Sequence, residues 1–387
     1  MKKILKYLLH FDHWIIVTIA MVLTALLWLL FDAMSIKNPF KQNVSGNSFM
    51  DTYYAFSDRS DLVPNADIVV VDIGHEHNRE LLANCLTEID SLKPRAIGVD
   101  IIFEHPDPDS VENAAFIHAI CNISSPMVFA AVKATRGGKA EFVRSFFADS
   151  LSLICGNAAF QLDNNTIHSF QPITNDGDTA FTAKLLELWG SRNIDLKAQT
   201  TPIEFDNQFL IIPLDSIKAY SELIENGIVL VGDASSINDT YRTPIGNRSG
   251  VECHAYCLKT LHDMEHYPYQ MSTFWNALIA IVLCYVLELM LSWVHTGLSH
   301  RKKTWSLFLR EWIEGSFLTN IVLLPIVAIV TLVMMNEALN NWRFFNASLI
   351  FTSLIMLIES RNIYQALIKA LREKHNWSFL NKSLIQN

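Results

Sequence analysis

Apolar residues in this chain fall into two kinds of run: long ones with few polar interruptions, and short ones alternating with amphipathic stretches. The long runs cover residues 14–31, 274–294 and 317–335, with a shorter one at 344–358. A helix rising about 1.5 Å per residue needs roughly 20 apolar residues to cross about 30 Å of hydrocarbon. The first three runs have that length, and the fourth either snorkels at its ends or recruits Trp342 and Ser360 to complete a span. The first run is longer than the apolar core of a cleaved signal. It leaves through Leu30, Phe31 and Asp32 without a small-residue cleavage pattern, so an uncleaved anchor is expected.

The short runs begin near Asn65. Residues 68–73 (IVVVDI), 96–103 (AIGVDIIF), 127–132 (MVFAAV) and 228–233 (IVLVGD) read as strands, and 209–213 as an extended segment. Residues 78–92, 110–121, 179–189 and 250–262 read as helices between or after them. Strands apolar on both faces and separated by helices predict a mainly parallel sheet covered on both sides. The expected fold is an α/β extracytoplasmic domain with a mainly parallel sheet, plus about four transmembrane α-helices. The expected boundaries are 1–31 for the cytoplasmic start and anchor, 32–272 for the outer domain, 273–360 for a three-span bundle and 361–387 for a cytoplasmic tail.

Composition agrees with a mixture of membrane and globular parts: half of the 387 residues are apolar. Orientation comes from the basic residues. Lys2, Lys3 and Lys6 precede the first run; Arg301, Lys302, Lys303 and Arg310 lie between the second and third; Arg361, Lys369, Arg372, Lys374 and Lys382 follow the fourth. The positive-inside rule places both termini and the middle basic loop in the cytoplasm. Residues 32–272 are then outside, with 17 Lys and Arg against 32 Asp and Glu, a net −15. That surface argues against nucleic acid as a partner and against flat docking on anionic lipid. The six cysteines form no disulfide framework, and buried free thiols are expected.

Candidate chemistry gathers at the strand ends. Asp72, Asp100 and Asp233 lie toward the C-terminal ends of expected parallel strands, the edge where open α/β sheets bind ligands. Asp at such a place also caps helices and closes turns. The loops after the first two strands carry His75, Glu76 and His77, then Glu104, His105, Asp107 and Asp109. If those strands are neighbours, His75, His77, His105 and Asp107 are candidate ligands for a divalent metal cofactor; solvated polar loops are the competing reading. No Walker loop, G-x-S-x-G elbow or H-E-x-x-H is present. Glu288 lies inside the second long run, about two turns from its cytoplasmic end, where an ionisable side chain is a functional candidate, or else snorkels or makes a polar contact to another span. Beyond the fourth run, Ile363, Leu367 and Leu371 form an apolar stripe among basic residues, suited to lipid or to a partner helix.

Four segments together resemble a known family. They are residues 68–74 with Asp72, residues 93–100 (KPRAIGVD), residues 228–232, and residues 239–255, which read DTYRTPIGNRSGVECHA. The last is similar to the D-x-x-x-T-P-x-G … G-V-E-x-H-A signature of the second type of CHASE domain, an extracellular sensing module of bacterial receptors. The pattern falls on Asp72, Asp100, Gly232, Asp239, Thr243, Pro244, Gly246, Gly250, Val251, Glu252, His254 and Ala255. Asp239, Thr243, Glu252 and His254 thereby join the three strand-end carboxylates as ligand-binding candidates, Asp239 and Thr243 also fitting a loop-shaping role. Asp176-Gly177-Asp178 lacks the Arg that usually follows in this family. Members usually continue into a cyclase, kinase or phosphatase domain, whereas this sequence ends about 29 residues after the fourth run.

The resemblance implies a sensor or signal-relay protein of a bacterial inner membrane, and the short stretch after the fourth run leads to the expectation of no catalytic output of its own. Its expected partners are membrane lipid, an extracytoplasmic ligand and a separate signalling protein. An extracytoplasmic metal-dependent hydrolase and a structural subunit of an envelope complex are the alternatives.

Overall fold

The apolar stretch near the start of the chain is a single helix, α1 (Phe11–Ala33). The computed structural model describes residues 7–33, 54, 59, 62–74, 78–108, 110–136, 139–163, 165–190, 196–264, 269–299, 343–344, 347–374 and scattered positions between 325 and 337. The chain divides into two units, residues 50–268 and residues 1–49 with 269–387.

The first of these units is built on consecutive β-branched residues. Val69, Val70 and Val71 lie in β1 (Pro64–Asp72), and α2 (Arg79–Ser91) follows, capped by the Asn78 side chain accepting from the Leu81 amide at 3.0 Å. Then come β2 (Ala96–Val99), α3 (Ser110–Asn122), β3 (Met127–Arg136), β4 (Lys139–Val143), β5 (Ile154–Asn157) and the short β6 (Ser169–Phe170). The chain continues through α4 (Phe181–Trp189), β7 (Thr201–Pro202), β8 (Gln208–Pro213), the single turn α5 (Ser221–Ile224) and β9 (Ile228–Gly232). A hairpin of β10 (Thr240–Thr243) and β11 (Gly246–Ser249) leads into α6 (Gly250–Asp263).

Seven strands form one sheet in the order β8-β1-β9-β2-β3, with β4 and β5 each paired to β3. Every pairing is parallel except β3 with β4. Each face is covered. Val69, Val71, Ile97, Val99, Phe129, Val229 and Val231 pack with Leu82, Leu86 and Ile89 of α2 and Phe116 and Ile120 of α3. The opposite face lies under α4 and α6, which bury Phe181, Leu185, Val251, Ala255 and Leu258. Each buried Val, Leu, Ile or Phe side chain contributes about 1.5–3 kcal/mol, so these two apolar layers, rather than strand propensity, hold the sheet.

Strand bounds differ from expectation at the start of β1, which begins at Pro64, and at the ends of β2 and β3. β2 stops at Val99 because the chain turns to another partner: Phe103 N donates to Ser145 Oγ at 3.1 Å, and Phe146 N to Phe103 O at 2.8 Å. β3 runs on to Arg136 because β4 pairs with its second half. The order of strands corrects a larger expectation. β1 and β2 are not neighbours, since β9 lies between them and pairs with both.

In the other unit, β12 (Tyr269–Gln270) precedes α7 (Thr273–Ser299) and pairs in parallel with β13 (Arg343–Phe344); α8 (Ala347–Lys374) follows. Helices α1, α7 and α8 pack on one another. Among the described residues two helices are long and apolar enough to cross a membrane, over Phe11–Leu30 and Thr273–Val294. Four were expected. The run at 317–335 lies largely outside the described residues. The fourth run falls mostly in the first half of one 28-residue helix that continues into the expected tail, and no Gly or Pro interrupts it. The stripe expected to dock a partner lies along the second half of α8: Ile363 and Leu367 are exposed, Leu371 is half-buried, and Tyr364 and Ile368 are the buried side. All six cysteines are free; Cys85, Cys253, Cys257 and Cys284 are buried, Cys155 is half-buried, and Cys121 is exposed, contrary to expectation.

Candidate functional site

The central strands β1, β9 and β2 end side by side, which brings Asp72, Asp233 and Asp100 to one edge of the sheet. Their roles then diverge. Asp72 Oδ1 accepts from the amides of Gly74 and Ala234, both at 2.8 Å, and its Oδ2 accepts from Ser235 Oγ at 2.6 Å. It ties β1 to the loop after β9. Asp233 Oδ1 accepts from the amides of Ser235 and Ser236 at 3.0 and 2.8 Å, closing its own turn. Asp100 closes no turn; its side chain meets His254, with Nε2 3.7 Å from Oδ1.

His254 is positioned by the segment that precedes it. Thr243 and Gly246 face each other at the end of the β10–β11 hairpin, and Thr243 Oγ1 donates to Gly246 O at 2.6 Å. Gly246 has φ +101°, a backbone conformation that L side chains rarely adopt. Ser249 and Glu252 form a capping box: Ser249 N donates to Glu252 Oε2 at 3.0 Å, and Glu252 N to Ser249 Oγ at 3.4 Å. Glu252 and Thr243 therefore hold the local backbone. One turn into α6, the buried imidazole of His254 stacks on Phe160, with ring centroids 4.4 Å apart, and meets Phe181 edge-on at 5.0 Å. Tyr241 meets the same Phe160 ring edge-on at 5.1 Å. Asp239 reaches the site from the turn before β10, pressed against Gly250.

The electrostatics of this group are shifted throughout. Burial pushes the Asp100 carboxyl up to about 7. Burial, then the Asp100 charge, push Asp239 up to about 6. Burial lowers His254 to about 3, against the pull of Asp239. Near neutrality the cluster thus holds an uncharged imidazole beside two carboxyl groups that titrate well above the usual range. It can exchange protons, accept hydrogen bonds, or balance a positive charge.

The other candidates do not join it. His75 and His77 lie outside the described residues. With β9 between β1 and β2, the loops after β1 and β2 do not leave adjacent strands, which removes the reason for grouping them. His105 is 82% exposed and lies 3.6 Å from Glu104, and the amide of Asp107 donates to Asn113 Oδ1 at 3.0 Å. Among the described residues no group of three or more His, Cys, Asp and Glu is placed to hold a metal ion. Asp176 and Asp178, in the segment lacking the usual Arg, both pair with Lys133, at 2.6 and 3.2 Å. Phe160, Tyr241 and Phe181 are site residues that sequence reasoning missed; only Tyr241, inside the DTYRTP stretch, carried a signal.

A family model described as the CHASE2 domain matches residues 17–291. The chain belongs to the CHASE2 family. The match takes in most of α1, the whole sheet-bearing unit and most of α7, so the apolar helices belong to the family's unit as much as the sheet does. CHASE2 is an extracytoplasmic sensory domain of signalling proteins. No curated protein and no solved structure matches the chain.

Proposed function

We propose that this CHASE2 chain is a membrane-anchored sensor whose outer domain binds a small ligand at the sheet edge formed by Asp100, Asp239 and His254. The observation that carries the reading is the contrast among the strand-end carboxylates. Asp72 and Asp233 are used up in turns, whereas Asp100 closes none and is held in a partly desolvated group with His254 and Asp239. A ligand offering hydrogen-bond donors or positive charge fits that group. α1 and α7 are the chain's connections from the outer domain into the bilayer, so a ligand that favours one arrangement of the sheet edge shifts them relative to each other. It does so only by the difference in its affinity for the two arrangements. The basic segments put the outer domain outside and both termini in the cytoplasm, where a separate signalling protein receives the signal.

The test is mass spectrometry of small molecules released on denaturing the full-length protein purified from its membrane. A compound retained by the wild type and depleted about tenfold or more by Asp100→Asn with Asp239→Asn is expected, the ratio of a 1.4 kcal/mol loss. Equal retention by both proteins sinks the reading. A compound consumed instead of retained would favour a hydrolase using Asp100 and His254 as acid and base.

A further inference from the structure

Glu288 and His13 are each about 1% exposed, and they lie on α7 and at the start of α1, two helices apolar enough to cross a membrane. His13 Nδ1 is 3.4 Å from Glu288 Oε1. Arg361, from α8, places Nη1 3.6 Å from Glu288 Oε2. Three helices therefore converge on one carboxylate. Two further bonds run beside it: Tyr364 of α8 donates to Asp12 Oδ1 at 2.6 Å, and Tyr7, just before α1, donates to Ser292 Oγ of α7 at 3.0 Å. The rings of Tyr7 and Tyr285 stand edge-on to His13, at 5.4 and 6.3 Å.

Glu288 and Arg361 carry opposite charges, and His13 faces the same carboxylate from α1. Yet the contacts are long for hydrogen bonds, and His13 Nε2, Glu288 Oε2 and Arg361 Nη1 are buried without a hydrogen-bond partner. The group is thus held by charge more than by close fit. It does not tolerate the loss of one charge, because the other is then left uncompensated away from water.

We propose that Glu288 is the hub of a polar lock that fixes α8 in register with α1 and α7. α1 and α7 are the helices that lead to and from the outer domain, and α8 carries the exposed apolar stripe at Ile363 and Leu367. Resting on the sensor reading for its use, the lock makes α8 the helix that follows any shift between α1 and α7.

The experiment needs no ligand, so a failure of the sensor reading leaves it intact. Spin labels go on the exposed positions Leu9, Met290 and Leu367 of the full-length protein in lipid nanodiscs, and pairwise distances are read by pulsed electron paramagnetic resonance. The wild type should give narrow distributions. Glu288→Gln and Arg361→Gln should each broaden or shift both distances to position 367. The double variant, neutral again, should restore them. If a single variant fails to accumulate in the membrane, recovery of the double supports the lock in the same way. Singles with unchanged distances, or a double no better than the singles, overturn it.

Discussion

Asp239 lies so close to Gly250 that a Cβ at position 250 would stand 2.5 Å from Oδ2. The glycine is there because a carboxylate needs its space: residue 250 opens α6, and Asp239 has to pass beside it to reach His254.

Gly250→Ala should therefore push Asp239 out of the site. The expected loss of stability is about 1–3 kcal/mol, the usual range for overpacking, read as a lowered unfolding midpoint of the purified protein. Asp239→Ala in the same chain should recover part of it. An unchanged midpoint for Gly250→Ala would show that Asp239 moves aside freely.

The Asp100–His254 pair gives a pH dependence with two opposing signs. Asp100 is raised from 3.8 to about 7, so the stability tied to its neutral form is full below 3.8 and is lost as pH rises through about 7. His254 is lowered from 6.5 to about 3, so its contribution is full above 6.5 and is lost as pH falls through about 3. Between 3.8 and 6.5 the two slopes offset each other, and Asp239, more exposed and held at about 6, adds a weaker slope of the same sign as Asp100. Asp100→Asn should tilt the stability profile upward with pH between 3.8 and 7, and His254→Gln should tilt it downward between 3 and 6.5. Each tilt is at most about 1.4 kcal/mol per pH unit. Unfolding midpoints of the three proteins across pH 4–8 measure both tilts; parallel profiles would mean that neither group is perturbed.

Cys121 is an exposed native thiol in the sheet-bearing unit. A membrane-impermeant maleimide should label it once any outer layer is permeable, with the inner membrane still sealed. In a Cys121→Ser background, Asn341→Cys should also react, whereas Lys302→Cys and Lys382→Cys should react only after detergent. Labelling of position 302 from outside would reverse the proposed topology.

Much of the sheet was legible because Val69 to Val71 and Ile228 to Val231 are apolar at every position, which marks strands buried on both faces. Their order was not legible. Hydrophobic periodicity says that a strand is buried but not beside which other strand, and so the loops of β1 and β2 were expected together. The same limit applies to Asp72 and Asp100. Both end a strand, and only the neighbours, Ser235 for one and His254 for the other, make one a turn-former and the other a site residue. Phe160 gave no warning at all, since a lone aromatic in an irregular stretch has no pattern to read. Glu288 was conspicuous as a charge in an apolar run, but its partners His13 and Arg361 come from opposite ends of the sequence.

The position of β9 has a consequence for how the protein is made. Its five residues are the central strand of the sheet, yet they leave the ribosome after β1, α2, β2, α3 and β3. Until Ile228–Gly232 arrives, the facing edges of β1 and β2 have no strand between them. Nascent outer domain is thus held with two apolar strand edges open, a state prone to pairing with other chains. Its completion waits on a contact between distant parts of the sequence, which favours slow closure. A chain cut before residue 228 would never leave that state.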